Sequence, residues 1–412
     1  MLGKFFEGSF LAVSFHAVPE DERTADLSLP TVGSPITKTE TKQLALRISQ
    51  WGIGNVAPNP LVGCVIVDKN HKFVGAGAHL LLGQHHAEIN AIDMAKKQSG
   101  ITDLSTHTLY VTLEPCAHEG RTPSCAQRLA QEKPSKVIYG IKDPNPKVSG
   151  KGAGIISAAG IACELDNSWS KDCYRSAEFF HWETVEKKPF VGLKSAISLD
   201  GAIARRGDQR TWITGERARA FGHYLRLKYD AIAIGAWTLL HDNPGLTPRE
   251  SVVSGRSPWR IVVDPNGRGL NAGQSKNLEL LHTYNEKVVW IITKAASKNF
   301  QSKITQYPNL TVIALDANSD GVIEPEDMLN ELYKLGITSI LLEGGSGLYR
   351  PFIAKNKVNR FHLFQAAKLL GGNNKINFFE GLSSALEEAP ADIEITALSP
   401  DWLTEFKGRI GK

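Results

Sequence analysis

Residues 79–125 constrain this chain more than any other stretch. They contain His85-His86-Ala87-Glu88 and, further on, Glu114-Pro115-Cys116 followed by an eight-residue spacer and Cys125. One histidine, two cysteines and a carboxylate that need not touch metal are what a hydrolytic zinc centre requires. Zinc takes nitrogen and thiolate ligands tetrahedrally, and a catalytic site leaves its fourth position to water. Such water loses a proton near neutral pH. A nearby carboxylate must shuttle that proton, and Glu88 follows His86 by two residues. Any one of these residues alone would read as a satisfied histidine or a buried thiol. All of them in this order would not.

The rest of the chain supplies a scaffold. At 412 residues it has room for two or three domains with proper cores. Five cysteines, an odd and sparse set, do not read as a disulfide framework and fit a reducing compartment. Cys64 reads as core, Cys163 and Cys173 as plain thiols, and His85 and His107 as surface residues. The formal charge of +4 comes without a dense Lys/Arg block, which argues against a nucleic-acid footprint. There is no apolar run of about 18 residues or more, so no membrane span is expected. Residues 1–40 begin apolar, but acids interrupt them. They read as a partly disordered extension, or as the product of a mis-set start codon.

Periodicity divides the remainder at Lys187-Lys188-Pro189. In residues 41–187, Leu44, Ile48 and Trp51 predict a helix over 41–50, capped by Thr39 or Thr41. An apolar run predicts a buried strand over 61–67, paired in a hairpin with 73–78. Helices follow over 86–97, 125–132, 154–160 and 177–186, and strands over 108–113 and 136–141. Residues 188–412 alternate again. Strands are expected over 190–197, 231–235, 260–264, 287–293, 310–315, 339–342 and 361–366, and helices over 216–228 and 325–335. Two α/β units result, the first with a parallel-leaning sheet. Gly150-Lys151-Gly152-Ala153-Gly154 resembles a phosphate loop in isolation but reads better as a turn. Glu343-Gly344-Gly345-Ser346-Gly347 follows a strand and precedes a helix at Leu348, where backbone amides could cradle a pyrophosphate. No G-x-G-x-x-G follows the first strand of this half, so a Rossmann site is not supported.

His86-Ala87-Glu88 with Pro115-Cys116 and Cys125 is the zinc-deaminase signature, save that its usual P-C-x-x-C is stretched here. The whole set, with Pro58-Asn59-Pro60-Leu61-Val62-Gly63 and Asp143-Pro144-Asn145-Pro146, resembles the bifunctional riboflavin-biosynthesis enzymes. These fuse a pyrimidine deaminase to a reductase, and in them the long cysteine spacing is the rule. The resemblance runs from about Leu44 to the end. It also rests on Ser198-Leu199-Asp200-Gly201, Trp212-Ile213-Thr214, residues 235–247 and Glu343-Gly344-Gly345.

The resemblance implies a cytidine-deaminase-like three-layer α/β/α domain over 41–187 and a dihydrofolate-reductase-like α/β domain over 188–412. It implies one Zn2+ per chain on His86, Cys116 and Cys125, with Glu88 as proton shuttle. Asn59, His79, His118 and Arg121 would meet the pyrimidine ribosyl phosphate. In the second half Ala196, Trp212, Thr238, Asp242, Gly345, Ser346 and Gly347 would meet NADPH. Arg226, Leu246, Arg249 and Glu343 would meet the substrate, two arginines suiting a phosphate. The implied reactions are hydrolytic deamination of 2,5-diamino-6-ribosylamino-4(3H)-pyrimidinone 5′-phosphate and reduction of its ribosyl group to ribityl. A cytoplasmic homo-oligomer acting on a small molecule is expected, with no nucleic acid and no membrane as partner. The chain departs from the pattern at Arg210, His241 and Ala367, where serine, a small residue and proline are usual. Two other readings stand beside this one: a deaminase whose second half only binds, and a nucleic-acid base deaminase.

Overall fold

The computed structural model describes residues 29–117, 124–207, 212–247, 257–270, 278–282, 287–300, 307–380 and 392–408. His118, Arg121, Arg210 and Arg249 lie outside the described residues, as does residue 1–28 of the expected extension. Two compact units divide between Lys187 and Lys188.

The first unit contains α1 (Lys38–Ser49), β1 (Gly63–Val67), β2 (Phe73–Ala78), α2 (Ala87–Ser99), β3 (Thr108–Val111), α3 (Cys125–Glu132), β4 (Lys136–Tyr139), α4 (Lys151–Ala158), β5 (Ala162–Leu165), α5 (Ser170–Ser176) and α6 (Glu178–Glu186). Its sheet runs β2-β1-β3-β4-β5. β1 pairs antiparallel with β2 and β3, whereas β3, β4 and β5 are parallel. The helix over 41–50 starts earlier than its apolar spacing suggested. Thr37 caps it in a reciprocal box with Glu40, so neither Thr39 nor Thr41 is the cap. Ile36 is buried in the same core and Pro35 bridges Lys72, so the folded unit begins before residue 41.

Helices cover both faces of this sheet. A Cβ on Gly63 would lie 2.0 Å from the Ala45 carbonyl oxygen of α1, and one on Gly77 would lie 2.3 Å from the Ala91 nitrogen of α2. Gly63 pairs with Ala78, and Cys64 with Gly77. Successive strand residues point to opposite faces, so α1 and α2 sit on opposite sides. β1 and β2 are buried throughout, as two-sided coverage demands.

The second unit contains β6 (Phe190–Ser198), β7 (Ala202–Arg205), α7 (Glu216–Lys228), β8 (Ala231–Gly235), α8 (Ala236–Asp242), β9 (Trp259–Val263), α9 (Glu279–His282), β10 (Val288–Thr293), α10 (Lys294–Ser297), β11 (Leu310–Leu315), α11 (Pro325–Lys334), β12 (Ser339–Leu342), α12 (Ser346–Ala354), β13 (Arg360–Ala366), β14 (Lys375–Asn377), β15 (Glu394–Leu398) and β16 (Asp401–Lys407). The main sheet runs β11-β10-β9-β8-β12-β6-β13-β16-β15. It is parallel from β11 to β13, and β16 and β15 add antiparallel. Alternate residues feed two cores, Ala231, Ala233 and Ile291 on one side and Ile232, Ile234 and Trp290 on the other.

Strand order creates a crevice. From β8 the chain moves outward to β9, whereas from β12 it crosses β6 to reach β13. The carboxyl ends of β8 and β12 therefore flank a topological switch point, where open α/β sheets hold ligands.

Candidate active sites

In the first unit, strand ends and helix starts converge. β2 delivers His79, which is 2% exposed. His86 caps α2 in an extended conformation, and Glu88 lies in that helix's first turn, 3% exposed. The Asn90 amide ties the helix start to the strand end by donating to the Ala78 and His85 carbonyls. After β3, Glu114 and Pro115 lead to Cys116, while Cys125 opens α3 behind its Ser124 cap. Two helix N-termini thus point at one place, where their dipoles favour thiolate and carboxylate.

The resulting donor set fits zinc. The ligand atoms of His86, Cys116 and Cys125 all lie within 4.8 Å of one another. His86 Nδ1 is 3.6 Å from Cys116 Sγ and 3.3 Å from Cys125 Sγ. The N–S edge of a tetrahedral zinc site is about 3.5 Å, from bonds of about 2.0 and 2.3 Å. The Cys125 amide also donates to Cys116 Sγ at 3.3 Å. Hydrogen bonding from Cys125 and from His86 holds the Cys116 thiol well below its ordinary value, against its burial. Burial, helped by the Cys116 charge, pushes the Glu88 carboxyl up to about 7, while His86 opposes the rise.

Beside this set, Asn59 Nδ2 donates to His79 Nε2 at 3.1 Å, and His79 Nδ1 lies 3.2 Å from the His85 carbonyl oxygen. This network assigns the proton to Nδ1. Burial holds His79 below the ordinary histidine value. Its ring meets that of His86 edge-on, 4.9 Å between centroids. His79 therefore stands against the candidate ligand His86, with Asn59 behind it. His85 is exposed beside Asp93, and Cys64 is in the core. His107, expected on the surface, is 8% exposed, because it sits in the turn whose amides link Leu104 to Ser135. The glycine-rich run 150–154 is no simple turn: Gly150 caps α4.

In the second unit a cleft of ≈ 1530 Å³ opens at the switch point. Ala196, Trp212, Arg226, Thr238, Asp242, Leu246, Glu343, Gly345, Ser346 and Gly347 all line it. The loop after β12 turns at Gly344, whose φ of +108° suits glycine, and a Cβ there would strike Thr238 Oγ1 at 2.6 Å. The expected helix at Leu348 begins at Ser346, so its free amides fall within the loop. Cβ positions on Gly345 and Gly347 meet nothing within 4 Å, which leaves a cradle open to a dinucleotide. Trp212 and Trp237 line the same cleft, at 52% and 55% exposure.

Sequence reasoning missed several neighbours. Lys194 of β6 lines the cleft and its charge lowers the Glu343 carboxyl. The signal is a lone lysine in an otherwise uncharged strand. His241 stacks on Trp237 with centroids 3.9 Å apart, so the departure from a small residue builds part of the cleft wall. Glu114, two residues before Cys116, is buried.

Comparison with known proteins agrees with this geometry. Residues 36–141 match the cytidine and deoxycytidylate deaminase zinc-binding region, and residues 189–404 match the RibD C-terminal domain. The riboflavin biosynthesis protein RibD of Actinobacillus pleuropneumoniae is 38% identical over 82% of this chain and 85% of its own length. That of Bacillus amyloliquefaciens is 33% identical over 87% and 92%. A Thermotoga maritima structure, described as a diaminohydroxyphosphoribosylaminopyrimidine deaminase/5-amino-6-(5-phosphoribosylamino)uracil reductase, superposes with a TM-score of 0.75 at 31% identity. It covers 89% of this chain and 97% of that one. The first unit is thus cytidine-deaminase-like and the second dihydrofolate-reductase-like, as the sequence implied. The chain belongs to the RibD family of riboflavin-biosynthesis enzymes, with a zinc-dependent deaminase and an NADPH-dependent reductase in one polypeptide.

Proposed function

We propose that His86, Cys116 and Cys125 hold the zinc and that Glu88 carries the proton in deamination of 2,5-diamino-6-ribosylamino-4(3H)-pyrimidinone 5′-phosphate. One observation carries the reading: three ligand atoms within 4.8 Å of one another stand beside a buried carboxylate. When bound, zinc supplies the Lewis acidity that lets water ionise near neutral pH. Glu88, buried in the first turn of α2 beside the ligand set, accepts a proton and returns it, as a general acid–base does. It would carry two protons in turn, the first from the attacking water to the ring nitrogen and the second from the hydroxyl so formed to the amino group, which leaves as ammonia. His79, held by Asn59, presents a fixed edge to the pyrimidine. His118 and Arg121 would grip the ribose phosphate.

In the second unit Arg226, Leu246, Arg249 and Glu343 would orient the ribosyl phosphate, while Ala196, Trp212, Thr238, Asp242 and residues 345–347 hold the cofactor. NADPH supplies the hydride that turns the opened ribosyl group into ribityl. The chain's part is placement and exclusion of water. The small net charge supports a free small molecule over nucleic acid as substrate. No helix of the described residues is long and apolar enough to cross a membrane. A cytoplasmic homo-oligomer is the family expectation, and light scattering tests the second part of it.

The deciding experiment combines elemental analysis with product assays. Glu88→Gln should keep one zinc and lose deamination by about 10²–10⁴-fold. Near-normal turnover in that variant sinks the proton-shuttle assignment. Addition of NADPH to the unaltered enzyme should convert the deaminated product to 5-amino-6-(5-phosphoribitylamino)uracil.

A further inference from the structure

A buried carboxylate outside the ligand set organises the loop that carries Cys116. Glu114 is 3% exposed. Its Oε2 accepts from the backbone N–H of Asp143 at 3.3 Å and of Gly150 at 3.0 Å, and its Oε1 from that of Ala153 at 3.2 Å. Gly150 caps α4 and Ala153 lies in its first turn. The carboxylate therefore fills, from within the protein, the anion position that the run 150–154 offers. Three amide donors offset the cost of burying that charge.

The same helix presses on the residue between Glu114 and the ligand. A Cβ on Gly152 would lie 1.8 Å from the Pro115 carbonyl oxygen, so only glycine admits this approach. On the other side, the Cys116 carbonyl accepts from Ser124 Oγ at 2.8 Å and from the Ala126 amide at 3.1 Å. Cys116 is thus held between α4, acting through Glu114 and Pro115, and α3, acting on its own backbone.

We propose that Glu114 is a positioning residue for the zinc centre. By binding the start of α4 it fixes the turn after β3, and so sets where the Cys116 thiolate lies relative to His86 and Cys125. It takes no part in proton transfer. The inference rests on the ligand assignment made above. Groups that orient metal ligands typically govern affinity by about 10–100-fold when lost.

The test measures zinc affinity of the full-length protein by chelator competition. Glu114→Gln keeps the shape but turns an NH2 toward backbone donors, and should weaken zinc about 10–100-fold. The cobalt-substituted variant should also show altered ligand-field and thiolate bands, which a role in folding alone would not move. Glu114→Asp keeps the charge but shortens its reach to the amides of α4 by one methylene. It should weaken zinc several-fold in the same direction, and it serves if Glu114→Gln does not fold. Cys116→Ser is the reference. If it loses zinc while Glu114→Gln and Glu114→Asp bind like the unaltered protein, this inference is overturned and the ligand assignment stands. If Cys116→Ser itself keeps full affinity, the ligand assignment fails and takes the inference with it.

Discussion

Arg226 and Glu343 meet as a two-pronged ion pair in the second unit, Nε to Oε1 at 2.8 Å and Nη2 to Oε2 at 2.9 Å. Arg226 Nη1 also donates to the Thr247 carbonyl at 3.1 Å, so α7, the end of β12 and the segment after α8 are joined at one guanidinium. Both side chains are largely buried. Removing either partner leaves the other as an uncompensated buried charge, at a cost of about 3–5 kcal/mol. Urea unfolding should show Glu343→Gln and Arg226→Met each destabilised by that order, and the double variant by less than their sum. Additive losses would mean that the pair is not coupled in solution.

The same pair makes stability depend on pH. Burial would raise the Glu343 carboxyl, but Arg226 foremost and then Lys194 pull it down to about 2. The unfolded chain binds its proton nearer pH 4.3. A depressed carboxylate gives stability that is present above the unfolded value and lost as pH falls through the folded one. Between about pH 5 and 2 the second unit should therefore lose on the order of 3 kcal/mol through this group. Glu343→Gln should flatten that part of the curve. An unchanged acid slope in the variant would refute the assignment.

Legibility in the sequence followed the distance between interacting residues. His86 and Cys125 stand out because each opens a helix within a short motif, and Cys116 because Glu114-Pro115 ends the preceding strand segment just before it. Buried strands such as β1 and β10 were plain as apolar runs. β7 and β14 pair with only four and three residues, too few for a period to show. β15 alternates exposed and half-buried positions at the sheet edge and carries no apolar run. Glu114 finds its amide partners 29 to 39 residues downstream, and Arg226 finds Glu343 across 117. Such partners are set by topology, which one sequence does not reveal pair by pair.

Asn59 offers a narrower test of the first unit. It is the hydrogen-bond donor that fixes the His79 Nε2 edge beside the ligands. Asn59→Ala removes one hydrogen bond, worth about 1 kcal/mol. If the pair orients the pyrimidine, the deaminase KM should rise roughly fivefold to tenfold while zinc content stays full. An unchanged KM would place the substrate elsewhere.

Zinc removal should separate the two activities. All three ligand candidates fall between residues 86 and 125, inside the first unit, whereas the residues that line the cofactor cleft fall between 194 and 376, inside the second. No titratable group of the ligand set lines that cleft. Chelation should therefore abolish ammonia release, and added zinc should restore it. NADPH oxidation with the already deaminated substrate should proceed in the chelated protein at close to its original rate. Cys125→Ser should reproduce the chelated behaviour, with zinc absent by elemental analysis and the reductase intact. Full zinc occupancy in that variant would remove Cys125 from the ligand set. Loss of both activities on chelation would show that the reductase half needs the metal centre to hold its own structure.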